Sequence, residues 1–413
     1  MSDGVTRRGA LAAGASVVGG LVASGRARAQ SGAVTVATRN CYLGADLFRL
    51  LAATATDDQT VEAAVSDLLQ SVDRSQVAAR LDGVATELGR AEPALVGIQE
   101  APLIRTGEPT ADTTPTATDV RYDFRERLAA ALDDRGLPYR VVSAVETTDF
   151  QLPTTIDGER RAVRLTDRDL LLAHERASTA GVTTGTFDAA ATLADDGRSI
   201  SLERGYGVVD ATVGDQRLTF CNTHLESVSA ETRLQQAAEL ESLLAERRDP
   251  VVLVGDLNSG PGDGAYDRLM ETFRDAASGV GNTCCHPADL RSDAASLTER
   301  VDHVLVRGAL RAGSAERVGA DPDSRIAVGG DRLWPSDHAG VVATLAEGTP
   351  TATAMDTATA TDTATNSSTS TAASTEPPAD SNTTAELPGF GGVTGLAAVV
   401  VAALAARRRG EDD

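Results

Sequence analysis

A chain of 413 residues with a hydrophobic share of 41% carries enough apolar side chain for a sizeable core, which excludes a wholly disordered protein. Its formal charge of -22, with arginine and no lysine among 38 basic residues, reads as a surface adapted to high salt. At near-molar ionic strength the Debye length falls to about 3 Å, so this acidity does not exclude a polyanionic substrate.

Residues 1–29 read as a twin-arginine export signal. Thr6-Arg7-Arg8-Gly9 precedes an apolar, Gly/Ala-rich run to Val22, and Ala27-Arg28-Ala29 has the small-x-small form of a cleavage site. Gly14, Gly19 and Gly20 make the same stretch a poor core helix. The mature protein is expected to begin near Gln30, outside the cell.

Residues 33–347 alternate strand-like and helix-like segments and read as one catalytic domain. Val34 to Arg39 is β-rich, Val77, Leu81, Val84 and Leu88 recur at helical spacing, and Leu95 to Gln99 has the length of a buried strand. Leu103 to Asp119, rich in Thr, Pro and Asp, is expected as a surface insertion. Gly214-Asp215 joins Tyr206–Val213 and Arg217–Thr223 into a hairpin. A helix with Leu234, Ala237, Leu240 and Leu244 on one face precedes strand Val251–Gly255, and Val301–Val306 and Gly340–Leu345 complete the body. Hairpins mixed with helix-separated strands predict mixed sheets covered by helices.

Beyond the body, residues 348–387 are a Thr/Ser/Ala-rich stalk that cannot bury a core, with sequons at Asn366 and Asn382. Residues 388–413 combine an apolar segment, Phe390 to Ala406, with Arg407-Arg408-Arg409. That tail is similar to archaeal surface-sorting signals, or serves uncleaved as a membrane anchor. Both readings attach the protein to the outer cell surface.

Polar residues recur where apolar strands end. Asn40 follows the first strand, Glu100 follows Leu95–Gln99, and Asn222 and His224 end Leu218–His224 on one face. Asp256 and Asn258 follow Val251–Gly255, Asp302 lies in Arg300-Val301-Asp302, and Asp337-His338 follows Trp334-Pro335-Ser336. Carboxylates and carboxamides in such positions suit a hard cation and phosphoryl-oxygen chemistry.

Together Gln99-Glu100, Asn222-Thr223-His224-Leu225-Glu226, Gly255-Asp256-Leu257-Asn258, Arg300-Val301-Asp302-His303 and Ser336-Asp337-His338 resemble, in order, the signature elements of the endonuclease/exonuclease/phosphatase superfamily. The resemblance runs from Asn40 to His338. It implies a four-layer α/β sandwich, two mixed β-sheets packed face to face with helices outside, and a Mg²⁺- or Mn²⁺-dependent phosphoric ester hydrolase. It also implies roles: Glu100 as the main metal ligand assisted by Asn40 and Asp337, Asp256 to orient or deprotonate water, and Asn258 to donate to a phosphoryl oxygen. His338, aligned by Asp302, then contacts the phosphate, and His224 is the second histidine of the nuclease and sphingomyelinase branches.

A further mid-chain phosphate contact is left open among Arg168, Asp169 and Arg204. His303, next to Asp302 on a strand, is expected to face away and pack. His174 and His286 carry no motif. Cys284-Cys285-His286 lacks a Cys-x-x-Cys partner and is not expected to be a soft-metal site, Cys221 is expected as a buried free thiol, and spacing does not fix any disulfide.

The leading expectation is a phosphodiesterase acting on DNA or RNA. A phospholipid, sphingomyelin-type or small-molecule phosphodiesterase is the alternative, with Leu47-Phe48-Arg49-Leu50-Leu51 as an apolar lip. A catalytically inactive surface-binding module would need broken acid, base or metal positions. The chain is read as a monomer without a protein partner, held to the membrane by its C-terminal segment.

Overall fold

The computed structural model describes residues 32–348 apart from 48–49, 51–59, 111–114, 196–197 and 249. The expected export signal, nearly all of the stalk, the C-terminal segment and part of the apolar lip lie outside the described residues. Among the described residues no helix is long and apolar enough to cross a membrane.

In chain order the elements are β1 (Val34–Asn40), α1 (Val61–Arg74), α2 (Val77–Ala91), β2 (Leu95–Gln99), β3 (Leu103–Gly107), β4 (Asp119–Asp123) and α3 (Phe124–Asp133). A long hairpin, β5 (Tyr139–Ile156) and β6 (Glu159–His174), leads to β7 (Ala177–Thr186) and a small ribbon, β8 (Ala191–Asp195) with β9 (Arg198–Leu202). There follow β10 (Gly205–Val213), β11 (Gln216–His224), α4 (Ala230–Ala245), β12 (Val251–Asp256), α5 (Gly264–Met270), β13 (Arg274–Asp275) and β14 (Asp302–Arg307). The last are β15 (Leu310–Val318), β16 (Ile326–Val328), β17 (Asp331–Leu333) and β18 (Gly340–Glu347).

Two large sheets form. The first has the order β15-β18-β1-β2-β6-β3-β4, with β5 also on β6, and the second the order β13-β14-β12-β11-β10-β7. β1 pairs parallel to β2, and β11 parallel to β12, while their other neighbours are antiparallel. Parallel neighbours need a crossover, which α1–α2 and α4 supply. The central strands β2 and β12 are buried along their whole length, as unbroken apolar runs covered on both faces must be.

Three apolar layers hold the stack. Val36, Leu95 and Leu171 of the first sheet meet Phe220, Val252 and Val304 of the second. Leu68, Leu81, Val84 and Phe124 cover the outer face of the first sheet at Ile98 and Leu170. Leu240, Leu244 and Leu269 cover the second at Leu253 and Leu305. This is the four-layer sandwich implied by the resemblance. Near the cleft the sheets approach so closely that a Cβ on Gly97 would lie 2.3 Å from Asn222 Oδ1 and 2.6 Å from Val254 Cγ2.

Two expectations need correction. Leu103–Asp119 is not simply an insertion: β3 pairs with β6 and β4, and Ile104 is buried. The Pro/Thr/Asp composition belongs to the connection after Gly107, where Gln151 Oε1 accepts from the Thr116 and Ala117 amides. In α4, Ala237, Leu240 and Leu244 are buried but Leu234 is 40% exposed, and the buried face takes Gln236 in addition.

Candidate active site

Each candidate side chain owes its position to a strand end. β1 ends at Asn40, paired in parallel register with Gln99 of β2, so Glu100 emerges beside it. Glu100 sits at φ 51°, a left-handed conformation that a side chain other than glycine adopts only under local constraint. In the second sheet His224 pairs with Asp256, and Asp256 with Asp302, placing three groups in one row across β11, β12 and β14. A Cβ on Gly255 would lie 2.1 Å from Thr223 O, so the residue before Asp256 must be glycine.

The row and the loops around it close into one buried network. Asn40 Nδ2 donates to Glu100 Oε1 and Asp256 Oδ2, both at 3.0 Å, while Asn40 Oδ1 accepts from the Tyr42 amide at 2.8 Å. The Leu43 amide donates to Glu100 Oε2 at 2.8 Å. Asp256 Oδ1 accepts from the Asn258 amide at 2.9 Å, and the Asn258 side chain donates to Leu225 O at 2.9 Å and abuts His224 Nε2 at 3.1 Å. His338 Nδ1 donates to Asp302 Oδ2 at 2.9 Å and lies 3.7 Å from Asp256 Oδ2. Seven of the eight predicted site residues are thereby linked by direct contacts. Asp337 is joined less directly: its carboxylate lies 3.4 Å from Ser336 Oγ, which gives its one proton to Asn40 O at 2.8 Å.

Burial and neighbours set the protonation states. Burial pushes the Asp256 carboxyl up to about 6, with the Asp302 charge adding and His338 opposing. Burial likewise raises Asp337 to about 7, and the Glu100 charge adds to it. Burial alone would lower His338, yet the carboxylates of Asp302, Asp256 and Asp337 hold it well above the usual histidine range. His224 goes the other way, lowered by burial and then by the Arg204 and His338 charges. Arg204 Nη1 faces His224 Nδ1 at 3.0 Å and Asn258 Nδ2 faces Nε2 at 3.1 Å, so donor groups meet both nitrogens of the ring.

These residues fit a hard divalent cation. Asn40 bridges Glu100 and Asp256, the Glu100 charge reaches Asp337, and a cation among them would favour the ionised forms of Asp256 and Asp337. Asp256, Asp302 and His338 also lie close enough to share an ion. That set is the poorer one, because His338 Nδ1, the nitrogen that faces these carboxylates, already donates to Asp302. Glu100 and Asp337 are therefore the carboxylates that could hold such a cation, with Asn40 bound to Glu100.

The residues left open in the sequence now separate. Arg168 is structural, donating to Ala101 O at 3.1 Å and to Asp123 Oδ1 at 2.5 Å. Asp169 is buried and pushed upward by burial. Arg204 belongs to the cleft. His303 faces away as expected, with Nε2 bound to Ser259 O at 2.9 Å. His174 packs edge-on to Tyr139, and His286 stacks on Trp334. Cys221 is buried and free, as is Cys41. A disulfide joins Cys284 to Cys285. Sequence reasoning missed Arg80, which is fully buried and donates to Cys41 O, Tyr42 O, Ser75 O and Pro335 O at 2.8 to 3.1 Å. It ties the loop after β1 to the segment that carries His338.

A sequence model described as "Endonuclease/Exonuclease/phosphatase family" matches residues 68–338, well over half the chain and all of the site except Asn40. The chain belongs to the endonuclease/exonuclease/phosphatase family. It is, at that level, a metal-dependent phosphoesterase. Similar solved structures include a family protein from Bacteroides thetaiotaomicron, at 16% identity and TM-score 0.49, covering 78% of this chain and 100% of that one. A mannosyl-6-phosphatase from the same species matches at 16% identity and TM-score 0.46, over 76% and 99% of the two chains. A humanized TDP2 of D. rerio matches at 14% identity and TM-score 0.45, over 76% and 98%. No curated protein matches the chain.

Proposed function

We propose that this family member is an exported, Mg²⁺- or Mn²⁺-dependent phosphodiesterase whose substrate is a nucleic acid. The observation that carries the reading is a buried carboxylate between two histidines, with His224 Nε2 and His338 Nδ1 each 3.7 Å from Asp256 Oδ2, His224 pushed toward its neutral form and His338 toward its cationic one. Cleaving a diester requires a base beside water, a donor for the phosphoryl oxygens and a proton source for the leaving alkoxide. Asp256, held by Asn40 and the Asn258 amide, is the base. Asn258 and His224, in contact at 3.1 Å beside Asp256, are the groups assigned to the phosphoryl oxygens. His338, its Nδ1 fixed by Asp302, offers Nε2–H to the leaving oxygen. A divalent cation held by Glu100 and Asp337 would supply charge neutralisation at the phosphoryl oxygens.

A phospholipid substrate is less well supported. The apolar cavity beside Leu43, lined by Leu47, Leu50, Val65, Ile104 and Phe150, has a volume of about 40 Å³. One water needs roughly 10–15 Å³ of such space, so the cavity has room for about three. An inactive binding module is disfavoured because every acid, base and metal position is intact. Export and attachment at the cell surface rest on Arg7-Arg8 and on the apolar segment followed by Arg407-Arg408-Arg409.

The test uses the purified chain against plasmid DNA, RNA, a diester dye, a monoester dye and phospholipid vesicles. Activity on nucleic acid and the diester dye, abolished by a chelator and restored by Mg²⁺ or Mn²⁺, is the expected result. Preference for the monoester dye would overturn the diester assignment. Restoration by Zn²⁺ alone would overturn the hard-oxygen site.

A further inference from the structure

Sequence adjacency suggests that Cys284 and Cys285 would look to His286 for a partner, but His286 is stacked on Trp334 with ring centroids 3.9 Å apart. The partner in space is His338. Both Sγ atoms and a His338 ring nitrogen lie within 4.8 Å of one another, and Cys285 Sγ is 3.8 Å from Nε2. Asp302 occupies Nδ1, so Nε2 is the nitrogen left for a further contact. The cysteine pair is half-buried, and so open to small solutes.

We propose that the reduced Cys284–Cys285 pair and His338 Nε2 form a site for a thiophilic divalent cation, separate from the hard-oxygen site. The ion would cap the nitrogen that serves the leaving group and so stop turnover. The effect on rate rests on the role given to His338 above; the binding itself does not. In the disulfide form neither sulfur is an effective ligand, because metals take the thiolate. A dithiol reductant breaks the S–S bond, giving two electrons and two protons to form two thiols while becoming a disulfide itself. The cation then displaces both thiol protons and the Nε2 proton, forming two metal–sulfur bonds and one metal–nitrogen bond. Cys41 and Cys221 do not compete: both are fully buried, and burial pushes the Cys41 thiol up to about 12.

The test adds Cd²⁺ in excess Mg²⁺ to the whole chain, either oxidised or reduced with a dithiol that is removed anaerobically. The expected result for reduced protein is a sulfur-to-metal charge-transfer band saturating at one equivalent, with a loss of rate that a chelator followed by Mg²⁺ reverses. Oxidised protein should show neither, which separates this site from displacement of Mg²⁺. His338→Ala should keep the band but bind about tenfold more weakly or worse. The Cys284→Ser/Cys285→Ser double variant should lose the band, and alkylating the reduced wild-type pair should do the same if that variant does not fold. A full band after alkylation, or unchanged affinity in His338→Ala, would overturn the site. A band without loss of rate would leave the site standing and overturn the role of His338.

Discussion

The two sheets meet at one cleft and bring unlike chemistry to it. The first supplies Asn40 and Glu100, hard oxygen and amide groups suited to a cation. The second supplies Asp256, Asp302 and His224, groups that hold or accept protons. His338 joins them, lying just before β18 of the first sheet but turned to Asp302 of the second. The difference shows how one buried volume holds both kinds of group. Burial lowers both histidines; the arginine beside His224 adds to that, while the carboxylates beside His338 reverse it.

That division can be broken by mutation. The largest effects belong to the second sheet: Asp302→Asn and His338→Ala should each lower turnover by roughly two to four orders of magnitude. The double variant should be scarcely worse than the worse single, because groups acting as a unit are non-additive. Effects that multiply in single-turnover assays would show that the two do not act as a pair. On the first sheet, Glu100→Gln should raise the Mg²⁺ needed for half-maximal rate about ten- to a hundredfold, with partial rescue by excess metal. If excess Mg²⁺ also rescued His338→Ala, the two halves would not be separate.

The division also sets a pH profile. Asp256 must be ionised to serve water, so kcat/KM should fall as pH drops through the region near 6. His338 must be protonated to serve the leaving oxygen, so the rate should fall again at alkaline pH, above the usual histidine range. A bound cation lowers the acid limb by stabilising the carboxylate, so raising Mg²⁺ should move that limb and not the alkaline one. The smallest effect comes from the far face of the same strand. His303→Asn should leave kcat within about twofold and cost about 1 kcal/mol of stability by loss of its bond to Ser259 O, measured by denaturant unfolding.

Much of this was legible because a buried strand is written as an apolar run, and the polar residue that stops it must face somewhere special. Asn40, Glu100, Asp256 and Asp302 were found that way, and period-two alternation turned His303 away from the cleft. Arg80 and the buried Arg39–Glu87 pair left no such signal. Their partners are backbone carbonyls and a helix side chain far along the chain, and nothing in a run of residues marks an arginine as one that will be enclosed. β3 was lost for a different reason: five residues with one buried aliphatic give too short a pattern to outweigh the Thr/Pro-rich stretch that follows. Arg204 could not be told from Arg168 because which one meets His224 depends on the pairing of β10 with β11.

Within β2 three neighbouring tasks are fused. Gly97 lets the sheets touch, Gln99 Nε2 donates to Asn222 Oδ1 at 2.6 Å across the gap, and Glu100 leaves the strand at the cleft. Asn222 in turn donates to Ile98 O and Leu170 O, at 3.1 and 2.9 Å, so it anchors the backbone of β2 as well as its side chains. A deletion of one residue before Gly97 would move a bulky side chain into the glycine slot and swing the carboxylate to the opposite face at the same step. Any side chain at Gly97 would therefore press the two sheets apart and displace the carboxylate three residues on, so packing and site geometry stand or fall at one position.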